Sequence, residues 1–166
     1  MNEWKVDLEA SRVWNNGILW ECLVDGTTQE PKWGCTHWKS VGGNTIYKGE
    51  ITTSNGRTFR NGNVDTVLTM RLWYGDEEIT SQILNAVDFS IAWKRSTGYN
   101  AETDEFVQQS EDLSWTPNVV GANQIKIERN DMGSGWMITY RQALVSCTVT
   151  FSADGQVVNM PADYVF

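Results

Sequence analysis

Asn16-Gly17-Ile18-Leu19-Trp20-Glu21-Cys22-Leu23-Val24-Asp25-Gly26 is an alternating run held between two turn formers. Side chains of an extended chain point to opposite sides with a period of two. Ile18, Trp20, Cys22 and Val24 therefore share one side, and Leu19, Glu21 and Leu23 the other. Asn-Gly and Asp-Gly accept positive φ at low cost, so they favour tight reversals of direction. The stretch predicts a β-strand with a turn at each end.

The same grammar recurs along the chain. Val64, Thr66, Leu68, Met70 and Leu72 share a face and run into the turn Tyr74-Gly75-Asp76-Glu77. Phe89, Ile91 and Trp93 alternate with Ser90, Ala92 and Lys94, and Ile125 and Ile127 point away from Lys126 and Glu128. Val145, Cys147, Val149 and Phe151 oppose Ser146, Thr148 and Thr150. Asn55-Gly56, Asn61-Gly62, Ser96-Thr97-Gly98 and Asp154-Gly155 supply the intervening turns. One apolar and one polar face per strand is the pattern of antiparallel sheets packed on one side. No long stretch holds a helical period, and Ala101 to Gln109 reads as an acidic loop. The expected fold class is all-β.

Composition narrows function by exclusion. At 166 residues the chain makes one ordinary domain or two small ones, and 40% hydrophobic against 20% charged residues argues against disorder. A formal net charge of −8 with no basic cluster repels a nucleic-acid duplex and an anionic membrane, so neither is an expected partner. Cys22, Cys35 and Cys147 form an odd set, which argues against a secreted disulfide scaffold while leaving a Cys22–Cys35 bridge open. The N-terminus Met1-Asn2-Glu3-Trp4-Lys5-Val6-Asp7 lacks a charged-then-apolar signal pattern, and no segment has the apolar length of a membrane span.

Tryptophan is the compositional outlier, with nine against five tyrosines and five phenylalanines. Trp4, Trp14, Trp20, Trp33 and Trp38 crowd the start of the chain, and Gly42-Gly43-Asn44 then breaks the pattern. The expected organisation is a small aromatic-rich β-module over residues 1–43 and a larger β-sandwich over 44–166.

Val13-Trp14-Asn15-Asn16-Gly17-Ile18-Leu19-Trp20-Glu21-Cys22, followed by Glu30-Pro31 and Trp38-Lys39-Ser40-Val41, resembles the small chitin-binding modules of bacterial chitinases and phage tail proteins. Gly17, Trp20, Cys22, Glu30, Pro31, Trp38 and Val41 stand at the places of that pattern. Asp7 to Arg12 stands where those modules carry Tyr-x-x-Gly-Asp, so the resemblance implies the fold more strongly than it implies chitin. It places Trp20 and Trp38 in the core and offers Trp14 and Trp33 as rings that stack on a sugar. Asn15, Asn16, Glu30 and Lys32 are the accompanying polar candidates.

From Thr45 onward the chain resembles a bacterial or phage immunoglobulin-like domain. Leu72-Trp73-Tyr74-Gly75-Asp76 closes one strand, Trp93 points inward from another, and Asp131-Met132-Gly133 precedes the strand bearing Cys147. Immunoglobulin domains pack a central tryptophan on an inter-sheet disulfide; here the partner place holds Leu68 or Met70, so Cys147 is expected as a buried free thiol.

Catalytic constellations are not evident. Cys35-x-His37, with Cys22, falls short of the four ligands of a structural zinc site, and a Cys–His nucleophile lacks an orienting third group. Asp76, Glu77, Glu78, Glu111 and Asp112 are carboxylates of the type a glycosidase pairs about 5–10 Å apart, but as acidic turns they read as solvated faces. No calcium-binding or glycine-rich phosphate loop is present. The expectation is a non-enzyme with no catalytic residue, no metal and no cofactor. Its expected role is that of a phage or prophage structural or adhesion protein of tail or decoration type. Its expected partners are a surface polysaccharide and other virion or surface proteins, in a homo-oligomer or bound to a particle. Its expected location is the virion, or the host cytoplasm during assembly. The alternatives are a stand-alone bacterial carbohydrate-binding protein and, behind it, a small hydrolase.

Overall fold

The computed structural model of the protein describes residues 11–56, 59, 62–134 and 142–166. Trp4, Trp136, Asn61 and the segment Asp7 to Ala10 lie outside the described residues. The fold is all-β: of the described residues 52% are in strands and 10% in helices, and the strands form several antiparallel sheets. It divides into two compact units. One takes the chain up to Lys48 together with Leu72–Gln82, and the other comprises Gly49–Arg71 and Ile83–Phe166.

The first unit is built on the sequence that opens the argument. Strands β1 (Arg12–Asn15), β2 (Ile18–Cys22) and β3 (Trp38–Gly43) form one antiparallel sheet in that order. Asn16 and Gly17 both take positive φ, at 50° and 73°, which gives the two-residue hairpin the twist its strands need. Asn15 then faces Ile18 and Trp14 faces Leu19, so register places Ile18, Trp20 and Cys22 together on the buried face. Trp38 joins them, and its indole N–H donates to the Gln29 carbonyl at 2.7 Å.

A later piece of chain completes this core. Strands β4 (Tyr47–Thr53) and β5 (Asp65–Tyr74) follow, and β5 turns through Gly75-Asp76 into β6 (Glu77–Glu78). Tyr74 and Ile79 are buried, and the Tyr74 ring meets Trp20 edge-on at 6.5 Å. Backbone bonds fix the turn, Gly75 N–H to the Ile46 carbonyl and Asp76 N–H to the Asn16 carbonyl, both 3.1 Å.

The second unit carries two sheets. Strands β10 (Asn118–Gly121) and β11 (Gln124–Glu128) extend β5 and β4 in the order β10-β11-β5-β4. Strands β7 (Ser90–Ser96), β12 (Leu144–Ala153) and β13 (Gln156–Val165) pair in the order β13-β12-β7. Leu68, Met70, Ile125 and Ile127 are fully buried on one sheet, and Val145, Val149 and Phe151 on the other, as a β-sandwich requires. Short connections carry α1 (Thr80–Leu84), a hairpin of β8 (Gly98–Asn100) with β9 (Glu105–Val107), and α2 (Ser110–Leu113). The stretch expected as an acidic loop is thus partly that hairpin, with Asp104 at φ 56° in its turn.

Cys147 is buried, lies opposite Trp93 on β7, and is a free thiol, as are Cys22 and Cys35. Trp93, expected in the core, is only half-buried, on the strand that ends its sheet. Burial, reinforced by the Asp163 charge, pushes the Cys147 thiol up to about 12. Thiolate is the reactive form, so native protein at neutral pH is expected to leave Cys147 unmodified by a thiol reagent until denaturant is added. Peptide mapping after labelling checks this; rapid native labelling at Cys147 contradicts it.

Candidate functional site

Among the tryptophans of the described residues, only Trp14 is exposed, at 64%. Strand parity explains it. Val13 and Asn15 turn toward the core of the first unit, while Arg12 and Trp14 turn outward. Across the sheet Trp14 is followed by Leu19 and then by Gly42. A Cβ on Gly43 would stand 2.7 Å from Trp14 Cζ3 and 2.5 Å from the Gly17 carbonyl oxygen. The missing side chain at Gly43 lets the indole lie against backbone, and its φ of 80° suits glycine as well.

The polar residues around this ring are not all those the sequence suggests. Asn16 is exposed at the hairpin turn. Asn44 is exposed too, with its backbone N–H on the Gly17 carbonyl at 2.8 Å. Asp76 Oδ2 lies 2.6 Å from where a Gly17 Cβ would be, and Asn44 Cβ 3.8 Å from it. Among the described residues the side chains of Asn16, Asn44 and Asp76, and the Trp14 indole N–H, make no hydrogen bond. The exposed indole lies against Gly43, and the side chains of Asn16, Asn44 and Asp76, with bonding capacity unspent, gather at the adjoining turn around Gly17. Sequence reading missed Asn44 and Asp76 because only the fold brings residue 76 to residue 17.

The other candidates lie elsewhere. Asn15 points inward, and its side-chain amide donates to the Pro31 carbonyl at 2.7 Å. Trp33 is half-buried; its indole N–H donates to the Tyr47 hydroxyl at 2.9 Å and its backbone N–H to Glu77 at 3.1 Å. Tyr47 packs on Tyr74 at 4.7 Å, so Trp33 joins the aromatic cluster around Trp20. Glu30 and Lys32 are exposed beside Pro31, in the loop that Asn15 anchors. The structure does not gather Trp33, Asn15, Glu30 and Lys32 around Trp14.

The loop residues with catalytic chemistry are internally engaged. His37 Nδ1 is 2.7 Å from the Thr27 hydroxyl, and Gln29 Oε1 accepts the backbone N–H groups of Thr36 and His37. Cys35 Sγ accepts the Lys32 N–H at 3.4 Å. Among the described residues no three His, Cys, Asp or Glu side chains are grouped to hold a metal ion.

In the second unit, Asp112 departs from the solvated role that an acidic turn suggests. It is buried and takes Arg95 Nε at 2.6 Å, the N–H groups of Thr97 and Gln109 at 2.8 Å, and the Thr97 hydroxyl. Arg95 spends its other nitrogens on the carbonyls of Asp131 and Glu111 and sits over Trp115 at 5.5 Å. Each nitrogen of Arg95 and each carboxylate oxygen of Asp112 has a partner within the fold, so the pair acts as an internal staple.

Among the described residues no helix is long and apolar enough to cross a membrane. Comparison of the chain with protein-family models, with curated proteins and with solved structures gives no match.

Proposed function

We propose that the protein is a non-enzymatic binding protein that holds a surface glycan on the outer face of Trp14. The observation that carries this reading is the exposed indole seated on Gly43, next to a turn whose polar side chains carry no hydrogen bond. The apolar C–H face of a pyranose can cover such a ring while its hydroxyls reach Asn16, Asn44 and Asp76. A buried indole normally finds a partner for its N–H, as the buried Trp20 and Trp38 do and the half-buried Trp33 and Trp115 do too; Trp14 is spared that structural duty.

The resemblance of the larger unit to an immunoglobulin-like domain gains support from strand order. Counting β4, β5, β7, β10, β11, β12 and β13 as seven consecutive strands, the first, second, fifth and fourth make one sheet and the third, sixth and seventh the other. Constant-type immunoglobulin domains distribute their strands in the same way. A small aromatic module joined to such a sandwich supports the role of a structural or adhesion protein of a phage-like particle. Many copies on a particle, or in a homo-oligomer, turn a weak contact into an avid one.

Trp14→Ala tests the reading. Binding to a glycan array should fall at least tenfold, the loss of an aromatic anchor worth about 2 kcal/mol. Stability should change by no more than about 0.5 kcal/mol, as for an exposed side chain. A wild-type chain that binds no glycan on the array sinks the proposal.

A further inference from the structure

The sheet β13-β12-β7 of the second unit buries one face and exposes the other. Its antiparallel registers set Asp163, Ser146 and Lys94 side by side in one row, and Pro161, Thr148 and Ala92 in the next. Residues directly opposite one another in such a pair share a face. This parity is the outward one: Lys94, Thr148 and Asp163 are exposed, while Val145, Cys147 and Val149 are buried. Lys94 and Asp163 are the only charged side chains of outward parity on the three strands. They stand on either side of β12, two strand spacings or about 10 Å apart. Neither forms an ion pair or a side-chain hydrogen bond, with the other or with any described residue.

We infer that this face pairs with the same face of a second copy of the chain, about a two-fold axis running along β12. That rotation lays β12 over β12 and exchanges β7 with β13. Lys94 of each copy then comes over Asp163 of the other, so one operation partners all four charges. A two-fold axis across the strands would instead lay β7 over β7 and offer Lys94 no carboxylate. The charges thus select the symmetry, and the contact is isologous and closed. A chain carrying −8 repels its own copies on average, whereas the two charges of this face cancel. Complementary charges at an interface chiefly set register and exclude wrong pairings. Three strands of seven to ten residues make a patch smaller than the roughly 800 Å² per partner of a standard interface. The pair is therefore weak, and crowding of copies favours it. The inference concerns the second unit and does not rest on the glycan reading.

Sedimentation equilibrium of the whole chain, from about 10 μM to about 1 mM, tests this. Salt at about 0.15 M confines exposed charges to a reach of roughly 8 Å. Wild-type protein should form a reversible dimer. Lys94→Glu and Asp163→Lys, taken singly, each set like charges together twice per dimer and should raise the Kd at least about tenfold. Mixing the two variants should restore the dimer, because each then supplies what the other lacks. Both variants remain acidic overall, so general attraction cannot produce that result. The chain carrying both changes should dimerise on its own, which also shows that the substitutions leave the fold intact. A wild-type chain that stays monomeric throughout overturns the inference. So does a wild-type dimer that either single variant leaves unchanged, or a mixture of the two variants that stays monomeric.

Discussion

Asp112→Ala is expected to destabilise the second unit by about 3–5 kcal/mol, the cost of leaving one member of a buried ion pair without its partner. Arg95 would keep its place, with only 5% of its side chain accessible, but would lose the carboxylate at 2.6 Å. The Thr97 and Gln109 N–H groups would lose their acceptor as well. Urea unfolding measures the cost, and a loss under 1 kcal/mol would show that water replaces the carboxylate easily. Replacing both charges with Arg95→Met and Asp112→Leu should recover only part of the loss, since the unpaired charge disappears but the Thr97 and Gln109 N–H groups still lack an acceptor. The same pair predicts the acid limb of stability. Burial alone would raise the Asp112 carboxyl, but bonds from the Gln109 and Thr97 N–H groups, the Thr97 hydroxyl and Arg95 outweigh it and hold the group below its ordinary range. A depressed folded-state value stabilises at every pH above the unfolded value, about 3.9. That contribution fades as pH falls through the folded value. Wild-type protein should therefore lose stability below about pH 4 more steeply than Asp112→Asn.

The strands were legible because each carries its own period. Val64 to Leu72 and Val145 to Phe151 alternate without interruption, and the structure buries one parity of each. The Asn16-Gly17 hairpin was legible for the same local reason, since two residues of turn chemistry fix the register of Trp14 against Leu19. What escaped sequence reading is long-range. Asp112 occupies the third position of α2, where its carboxylate accepts the Gln109 N–H. That local role is visible in principle as a capping box. Its burial depends on Arg95 and Thr97, contributed by β7 and the turn beyond it, and no local pattern announces them. Asp76 is a similar case. Its turn was visible, but its place beside Gly17 follows from bonds between backbone groups distant in sequence. Trp33 shows the converse, a ring that composition offered to a ligand and that Tyr47 and Glu77 claim for the fold.

Trp20→Ala should unfold the first unit or weaken it by about 3–5 kcal/mol, the range for truncating a buried aromatic residue. The ring is 4% exposed, meets Tyr74 edge-on, and donates from Nε1 to the Asn15 carbonyl at 3.3 Å. That carbonyl belongs to the residue immediately before the Asn16-Gly17 turn, so Trp20 braces from within the same hairpin that presents Trp14 outside. Trp20→Phe keeps most of the buried area and forfeits chiefly the N–H bond, so it should cost less than the alanine change. The two compact units need not unfold together, and one two-state transition cannot be assumed. Hydrogen exchange of β1 and β2 amides locates the loss in the first unit; exchange accelerated only in β12 and β13 would contradict the assignment. The pairing with Trp14→Ala then separates two ways of losing a ligand. Under the proposed glycan reading, removing Trp14 should weaken binding at least tenfold on a hairpin still protected from exchange. Removing Trp20 should abolish binding only as far as the hairpin opens, because the inner ring acts on the ligand solely by holding that hairpin closed.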